Sequence, residues 1–302
     1  MDEFLEVLKE REIGKILENV SLKKYTTYCV GGNAKYIVYP KNTQKLIELI
    51  KLCNYRNIKY KVLGNGSNTL FSDSEYDGVI IKLDEFNELT MLGAQTIKVG
   101  AGYNLMRLAL FAAKKGLTGL EFASGIPGSV GGAVFMNAGA YKSDMGYIVK
   151  RIKVLTPDYR IITMTNGELN FHYRTSFLQQ NPGYICLEAT IGLKKGKKDA
   201  ILSVMKERQE KRRASQPLEY PSAGSVFRNP ENGFAGKMIE DLGLKGLTHG
   251  GAKVSDKHAN FIINIGGATA NDIKTLISLV HDTVEENYGV DLKIEQEFVN
   301  WE

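Results

Sequence analysis

Three places in the chain carry side chains able to do polar chemistry on a small substrate. Arg174 lies in "FHYRTSFL", Ser225 in "YPSAGSVFRNP", and Glu295 and Glu297 in "GVDLKIEQEF" near the end. A guanidinium can hold a carboxylate through two parallel hydrogen bonds and stays charged at any working pH. Taken alone, Tyr173 and Arg174 read as one core aromatic and one surface cation, since neighbours on a strand face opposite ways. Ser225 has no base near it and no GxSxG frame, so it reads as a turn or structural hydroxyl rather than a nucleophile. Glu295 and Glu297 are predicted on one face of a terminal strand, where a carboxylate is ordinarily solvated. His172, His249 and His281 form no constellation. Cys29, Cys53 and Cys186 show neither CxxC nor Cys/His spacing, which argues against a disulfide framework or a zinc site. Cys29 either lines a pocket or, more ordinarily, is buried as a small hydrophobe.

Two glycine-rich segments raise a different chemistry. "GIPGSVGGAVFMNAGAY", residues 125–141, holds five glycines and no charged side chain, although charged residues make up 24% of the chain. Glycine costs folding entropy and is used where the backbone must turn sharply or be approached closely. In "VLGNGSN" a strand ends at Gly64 and opens into Asn65, Gly66, Ser67 and Asn68. Successive N–H groups there can form a nest for phosphate, with Ser67 and Asn68 adding donors. The segment is neither a Walker A motif nor GxGxxG, and alone it reads first as an Asn-Gly β-turn.

Elements able to position these residues alternate along the chain. Apolar β-type runs at 35–40, 59–64, 78–83 and 96–102 flank a helical pattern across 43–55, and Asn104 caps a helix that stops at Gly116. Such order predicts mixed α/β layers. From residue 147 the pattern is richer in strands, and a charged helix over about 198–213 leads into "ASQPLEYPSAG", where two prolines mark a boundary. Beyond it lie a short helix, the strand "NFIINI", a long helix capped near Asn271 or Asp272, and the strand "LKIEQEFV". The first twenty residues read as a surface helix with Leu5, Leu8, Ile13, Ile16, Leu17 and Val20 at helical spacing.

With 302 residues, two or three domains sharing a ligand are expected. Acidic residues stand where a signal peptide would be basic, and no apolar run could span a bilayer, so a cytoplasmic protein without membrane insertion is expected. The net charge of +5 is spread among acids, and the densest basic run, "MKERQEKRR", reads as a solvated helix face, with attraction of an anionic substrate as the other reading.

Read in order, "TTYCVGG" (26–32), "GNGSN" and the 125–141 stretch resemble the FAD-binding domain of the vanillyl-alcohol-oxidase (PCMH) type, built of two α/β subdomains. With "YRTSF", "PLEYPSAGSVFRNP", "AGKMIEDLGLKG" and "KHANFIIN" added, nearly the whole chain is similar to the UDP-N-acetylenolpyruvoylglucosamine reductases, the MurB family. The resemblance implies an α+β protein: an N-terminal helix at 1–23, an FAD domain at 24–197 (subdomains about 24–83 and 84–197), and a C-terminal α+β substrate domain at 198–302. Fewer than fifty residues separate "YRTS" from "AGS", which matches the shorter group without the inserted tyrosine loop.

The same resemblance assigns roles. Arg174, Ser225 and Glu295 correspond to the catalytic arginine, the proton-donating serine and the glutamate, with Glu297 the alternative because "EQEFVN" departs from the family's ending. Tyr28, Gly64, Asn65, Gly66, Ser67, Asn68, Gly125, Ile126, Pro127, Gly128, Ser129, Gly132, Asn137 and Gly139 are expected at the cofactor. Tyr173, Arg228, Asn229 and His258 are expected at the substrate; for Arg228 a surface charge, and for His258 a hydrogen-bonded structural role, stand beside that reading. FAD is expected to be noncovalent, because the loops lack a histidine, with NADPH as co-substrate and UDP-N-acetylglucosamine enolpyruvate as acceptor. A monomer that binds no metal and no nucleic acid is expected. The rival within enzymes is a flavin oxidase of the same fold acting on an alcohol or sugar; from another class, a nucleotide- or nucleic-acid-binding module would be colourless and salt-sensitive.

Overall fold

The computed structural model describes residues 3–301. The chain divides into two compact units, the first comprising residues 1–18, 36–64 and 77–210 and the second 19–35, 65–76 and 211–302. The expected boundary at 197/198 therefore falls inside the first unit, and two stretches from the N-terminal third belong to the second.

Helix α1, Glu3–Glu10, packs Phe4, Leu5 and Leu8 into the core. Met1 and Asp2, part of the helix expected over 1–23, lie outside the described residues. The expected helix is in fact short: Glu12 takes a left-handed φ of 47° and the chain leaves as the strand Gly14–Ser21. Ile13 is fully buried, and its carbonyl accepts the Lys41 N–H at 3.0 Å. The apolar spacing that suggested a longer helix instead serves an irregular strand.

The strand Asn33–Pro40 leads to α2, Thr43–Tyr55, capped by the Asn42 side chain accepting the Lys45 N–H at 3.0 Å. One four-stranded sheet has the order 14–21, 33–40, 76–81, 60–62, and its last two strands are parallel, Lys61 facing Ile80. A five-stranded sheet has the order 161–165, 149–155, 185–192, 96–100, 89–91, antiparallel throughout. Helix α3, Leu105–Lys114, starts where sequence places it, with Asn104 Oδ1 accepting the Arg107 N–H at 3.0 Å. The short α4, Val130–Phe135, lies within the glycine-rich stretch; α5, Phe177–Gln180, follows Arg174; and α6, Lys198–Ser215, is the charged helix, burying Ile201 and Met205. Of the cysteines, Cys53 and Cys186 are buried, which pushes each thiol up to about 12, whereas Cys29 is exposed rather than buried as expected.

The second unit has its own core, with Tyr28, Val30, Leu70, Val226, Phe227, Ile262, Ile273 and Val280 among its buried residues. Helix α7 covers Ala235–Asp241 and α8 Ala270–Tyr288. The strands 248–249, 252–254 and 262–264 form an antiparallel sheet, and Glu297–Val299 pairs in parallel with Thr69–Phe71. The cap of α8 is Thr269, in a capping box with Asp272, rather than Asn271 or Asp272. Asp73 adds to it, its carboxylate accepting the N–H groups of Ala270 and Asn271 at 2.9 Å each. An acceptor at a helix start satisfies donors with no partner inside the helix. No helix among the described residues is long and apolar enough to cross a membrane.

Candidate active site

In the first unit the two glycine loops meet at Gly64. A Cβ on Gly64 would lie 2.7 Å from the Ser129 hydroxyl, so only glycine permits this approach. Ser129 also caps α4, accepting the Gly132 N–H at 3.3 Å. Gly139 is consumed by packing, since an added Cβ would stand 2.5 Å from that of Asp144. Gly128 differs: it is buried, yet an added Cβ would meet nothing nearer than Ile126 at 4.0 Å. That leaves open space against an uncharged backbone, a cradle for a flat, uncharged group. Gly125, Ile126, Pro127 and Gly132 all keep accessible surface beside it.

Sequence reading missed Lys82, whose ammonium donates to the Gly64 carbonyl. The clue in sequence was a lysine closing the apolar run "GVIIK". Missed too were Arg208 and Gln209 of α6. Tyr141 donates its hydroxyl to the Arg208 carbonyl at 2.9 Å, the Arg208 guanidinium lies 4.8 Å from the Tyr141 ring centre, and Gln209 Nε2 donates to the Ser124 carbonyl at 3.2 Å. The charged helix thus ties down the two ends of the glycine-rich stretch.

Arg174 sits in a tight turn closed by reciprocal bonds between His172 and Thr175, each N–H donating to the other's carbonyl at 3.0 Å. Its φ is 55°, a conformation costing an L-residue roughly 1–3 kcal/mol unless the surroundings enforce it. The surroundings do so. Asn137 Nδ2 donates to the His172 carbonyl at 2.8 Å while Asn137 Oδ1 accepts the Gly146 N–H at 2.9 Å. Gln179 Nε2 donates to both the Arg174 and Phe135 carbonyls, and Ser176 Oγ donates to Phe135 at 2.7 Å. The last residue of α4 is therefore bonded to the turn that bears Arg174. Asn137 is 2% exposed with both ends of its amide engaged, so it braces the turn that bears Arg174. The half-buried Arg174 side chain stands 5.2 Å from the centre of the Tyr173 ring, itself exposed.

In the second unit Ser225 and Glu295 lie on adjacent segments. The Glu295 N–H donates to the Val226 carbonyl at 2.8 Å, the Arg228 N–H to Lys293 at 2.8 Å, and Phe227 bridges Ile294 in antiparallel sense. Neither residue lies in a regular strand; Glu295 precedes the strand that begins at Glu297, contrary to the expected single strand. Asn68 holds the Glu295 segment, its Nδ2 donating to the Glu295 carbonyl at 3.0 Å and its own carbonyl accepting the Glu297 N–H at 2.9 Å. Gln296 Nε2 donates to the Ala223 carbonyl at 3.2 Å. Ser225 and Glu295 are both half-buried, accessible yet held at main chain on either side.

"TTYCVGG" and "GNGSN" also meet in this unit. The Thr27 N–H donates to the Gly66 carbonyl at 3.1 Å, and Gly66 takes φ +62° with the Tyr25 carbonyl 2.0 Å from where a Cβ would be. Asn65 and Ser67 retain accessible surface. Tyr28 has none; it is a core residue whose carbonyl accepts from Asn264 Nδ2 at 3.1 Å.

The expected substrate residues divide. Asn229 is exposed, and its Oδ1 accepts the Ala235 N–H at 3.1 Å. Arg228 is half-buried. His258 Nδ1 accepts the Asn260 N–H at 3.2 Å, and burial holds its imidazole below the ordinary histidine range. Asn260 in turn accepts from the Phe227 N–H at 2.9 Å and donates to the Phe227 carbonyl at 2.8 Å. His258 thus makes the hydrogen bond of a structural histidine and is linked through Asn260 to Phe227 while keeping some accessible surface.

Comparison with known proteins also finds two parts along the sequence. The profile described as "FAD binding domain" matches residues 34–165, and that described as "UDP-N-acetylenolpyruvoylglucosamine reductase, C-terminal domain" matches 216–299. UDP-N-acetylenolpyruvoylglucosamine reductase of Anoxybacillus flavithermus is 46% identical over 299 residues, 99% of each chain, and that of Bacillus subtilis 43% over the same span and share. Among solved structures, that of UDP-N-acetylenolpyruvylglucosamine reductase from Thermus caldophilus superimposes with a TM-score of 0.80 at 36% identity, covering 94% of this chain and 98% of that one. The expected FAD-binding domain followed by a C-terminal α+β domain is borne out.

Proposed function

The chain belongs to the UDP-N-acetylenolpyruvoylglucosamine reductase family, and we propose that it uses FAD and NADPH to reduce UDP-N-acetylglucosamine enolpyruvate to UDP-N-acetylmuramate. The family and its FAD-binding domain make it an oxidoreductase. The uncharged cradle at Gly128 and the buried ammonium at Gly64 fit a cofactor with a flat ring system and an anionic diphosphate. Gly64, Gly125, Ile126, Pro127, Gly128, Ser129 and Gly132 would hold it, with Asn65, Gly66, Ser67 and Asn68. When bound, FAD carries the hydride between NADPH and the substrate.

The residues handle charge and protons. Hydride addition at the terminal vinyl carbon of an enol ether conjugated with a carboxylate builds negative charge on that carboxylate as an enediolate. Arg174, fixed before substrate arrives by its bonded turn, would stabilise this charge without reorganisation at the moment of reaction. Ser225 would then protonate the carbon next to the carboxylate. A serine hydroxyl is a poor acid in water, so the step depends on a strongly basic enediolate and a fixed distance. Glu295, protonated, would serve as a hydrogen-bond partner of the developing charge.

The observation that carries this reading is the bond from the Glu295 N–H to the Val226 carbonyl at 2.8 Å, which sets the Glu295 backbone beside the residue that follows Ser225. Anaerobic visible spectra test it. Flavin colour should bleach with NADPH and return with the enolpyruvyl substrate. Colour that returns only with oxygen would assign the chain to an oxidase, and a protein colourless after incubation with FAD would end the flavoenzyme reading.

A further inference from the structure

We propose that Lys82 is the counter-charge for the FAD diphosphate and sets how strongly this chain prefers a dinucleotide flavin over one without phosphate. The proposal rests on the first unit being an FAD-binding domain. Lys82 directly follows the strand Tyr76–Ile81, at the carboxyl end of its parallel pair with Tyr60–Val62. Ligands of open α/β layers gather at the carboxyl ends of parallel strands. The Lys82 side chain is 7% exposed; among the described residues its Nζ partners are the Gly64 carbonyl and, at 3.4 Å, Asp84, whose own side chain is 53% exposed.

This is poor compensation for a buried cation. Taking an ammonium out of water costs several kcal/mol, and a solvated carboxylate returns little of it. Burial accordingly holds the Lys82 amine below the ordinary lysine range. Securing one carbonyl is no reason to bury a charge, because a neutral amide donor would do as well. The charge gains its use if an anion arrives at Gly64. There the Ser129 hydroxyl stands 2.7 Å from the position of an added Cβ, so ammonium, bare glycine backbone and hydroxyl converge on one spot. That set suits phosphate oxygens, which accept charge-assisted bonds from lysine and ordinary ones from hydroxyl and N–H groups.

The test titrates the full-length chain, freed of flavin, with FAD and separately with riboflavin, following quenching of flavin fluorescence, and records the melting temperature of the flavin-free protein. Lys82→Gln keeps a donor for the Gly64 carbonyl and removes the charge; Lys82→Arg keeps the charge. Lys82→Gln should weaken FAD by about tenfold or more, the worth of one charge-assisted bond, with riboflavin affinity and melting temperature held. Lys82→Arg should retain most of the FAD affinity. Equal weakening of both flavins by Lys82→Gln, or unchanged FAD affinity, would reduce Lys82 to a brace for Gly64 and overturn the proposal. A wild-type chain that takes up no FAD would instead overturn the FAD-binding reading, and this proposal with it.

Discussion

Tyr28 donates its hydroxyl to Gln296 Oε1 at 3.1 Å, in a place where Tyr28 has no exposed surface and Gln296 is 5% exposed. Burial pushes the phenol far above its ordinary range, so it remains a neutral donor throughout the working pH range. Gln296 spends its other end on the Ala223 carbonyl at 3.2 Å. One amide therefore fixes both segments, standing next to Glu295 in the chain and bonded two residues before Ser225.

Gln296→Leu should accordingly leave two buried polar groups without partners. Each such loss costs about 1–3 kcal/mol, and a chemical denaturation midpoint read against the wild type measures it. Tyr28→Phe, which strands only the amide oxygen, should cost less. If Gln296→Leu is as stable as the wild type, the amide contributes nothing to holding these segments.

Arg174 should be sensitive to Asn137, which braces its turn through the main chain. Asn137→Leu removes the donor to the His172 carbonyl and the acceptor for Gly146, freeing a turn whose φ of 55° is unfavourable by itself. The expected result is a fall of kcat by about ten- to a hundredfold with NADPH-driven bleaching of the flavin kept, whereas Arg174→Met should lose about 10²–10³-fold. Steady-state and single-turnover rates on both variants check this. A variant at Asn137 with wild-type turnover would show that the turn holds itself.

His281 gives a pH dependence of stability. It bonds Asp282 and Asp291 at 3.0 Å each, and those two carboxylates, Asp282 first, raise its pKa above the ordinary value. A histidine whose folded pKa exceeds its unfolded value of about 6.5 contributes stability that is fully present below 6.5 and lost as pH rises through the folded value. The partners are exposed, so the effect should stay below about 1 kcal/mol. Melting temperatures of wild type and His281→Gln should differ most near pH 6 and converge above the raised pKa. A gap that widens with rising pH would give the shift the opposite sign.

The glycine-rich segments and the Asn104 cap were legible because each rests on residue types whose chemistry is local, whereas Arg174 and Ser225 stood out only through the family resemblance. What escaped was side chain to main chain bonding across long stretches of sequence. Tyr28 and Gln296 are 268 positions apart, Asp73 caps a helix 197 positions away, and Asn137 braces a turn 35 positions on. A single sequence shows a tyrosine or an asparagine in a ligand-like loop but not where its polar atoms go. Lys82 was hidden for the same reason, since burial of a lysine is decided by the sheet around it. The N-terminal misreading has a separate cause: Ile13, Ile16, Leu17 and Val20 satisfy helical spacing, and only the left-handed Glu12 reveals that the chain has turned.

Ser225→Ala separates the two halves of the proposed reaction. The hydroxyl is expected to act after hydride has reached the substrate, so bleaching of the flavin by NADPH should proceed at nearly the wild-type rate. Return of colour with the enolpyruvyl substrate should slow by roughly 10²–10⁴-fold, the usual worth of a positioned acid. The substitution removes one half-buried oxygen and leaves the Val226 and Gln296 bonds in place, so the melting temperature should barely move. Stopped-flow absorbance of each half-reaction reads both rates separately. Equal slowing of the two would mean that Ser225 supports the flavin or the shared binding surface, and the proton would have to come from another group, Glu295 being the first to test by Glu295→Gln.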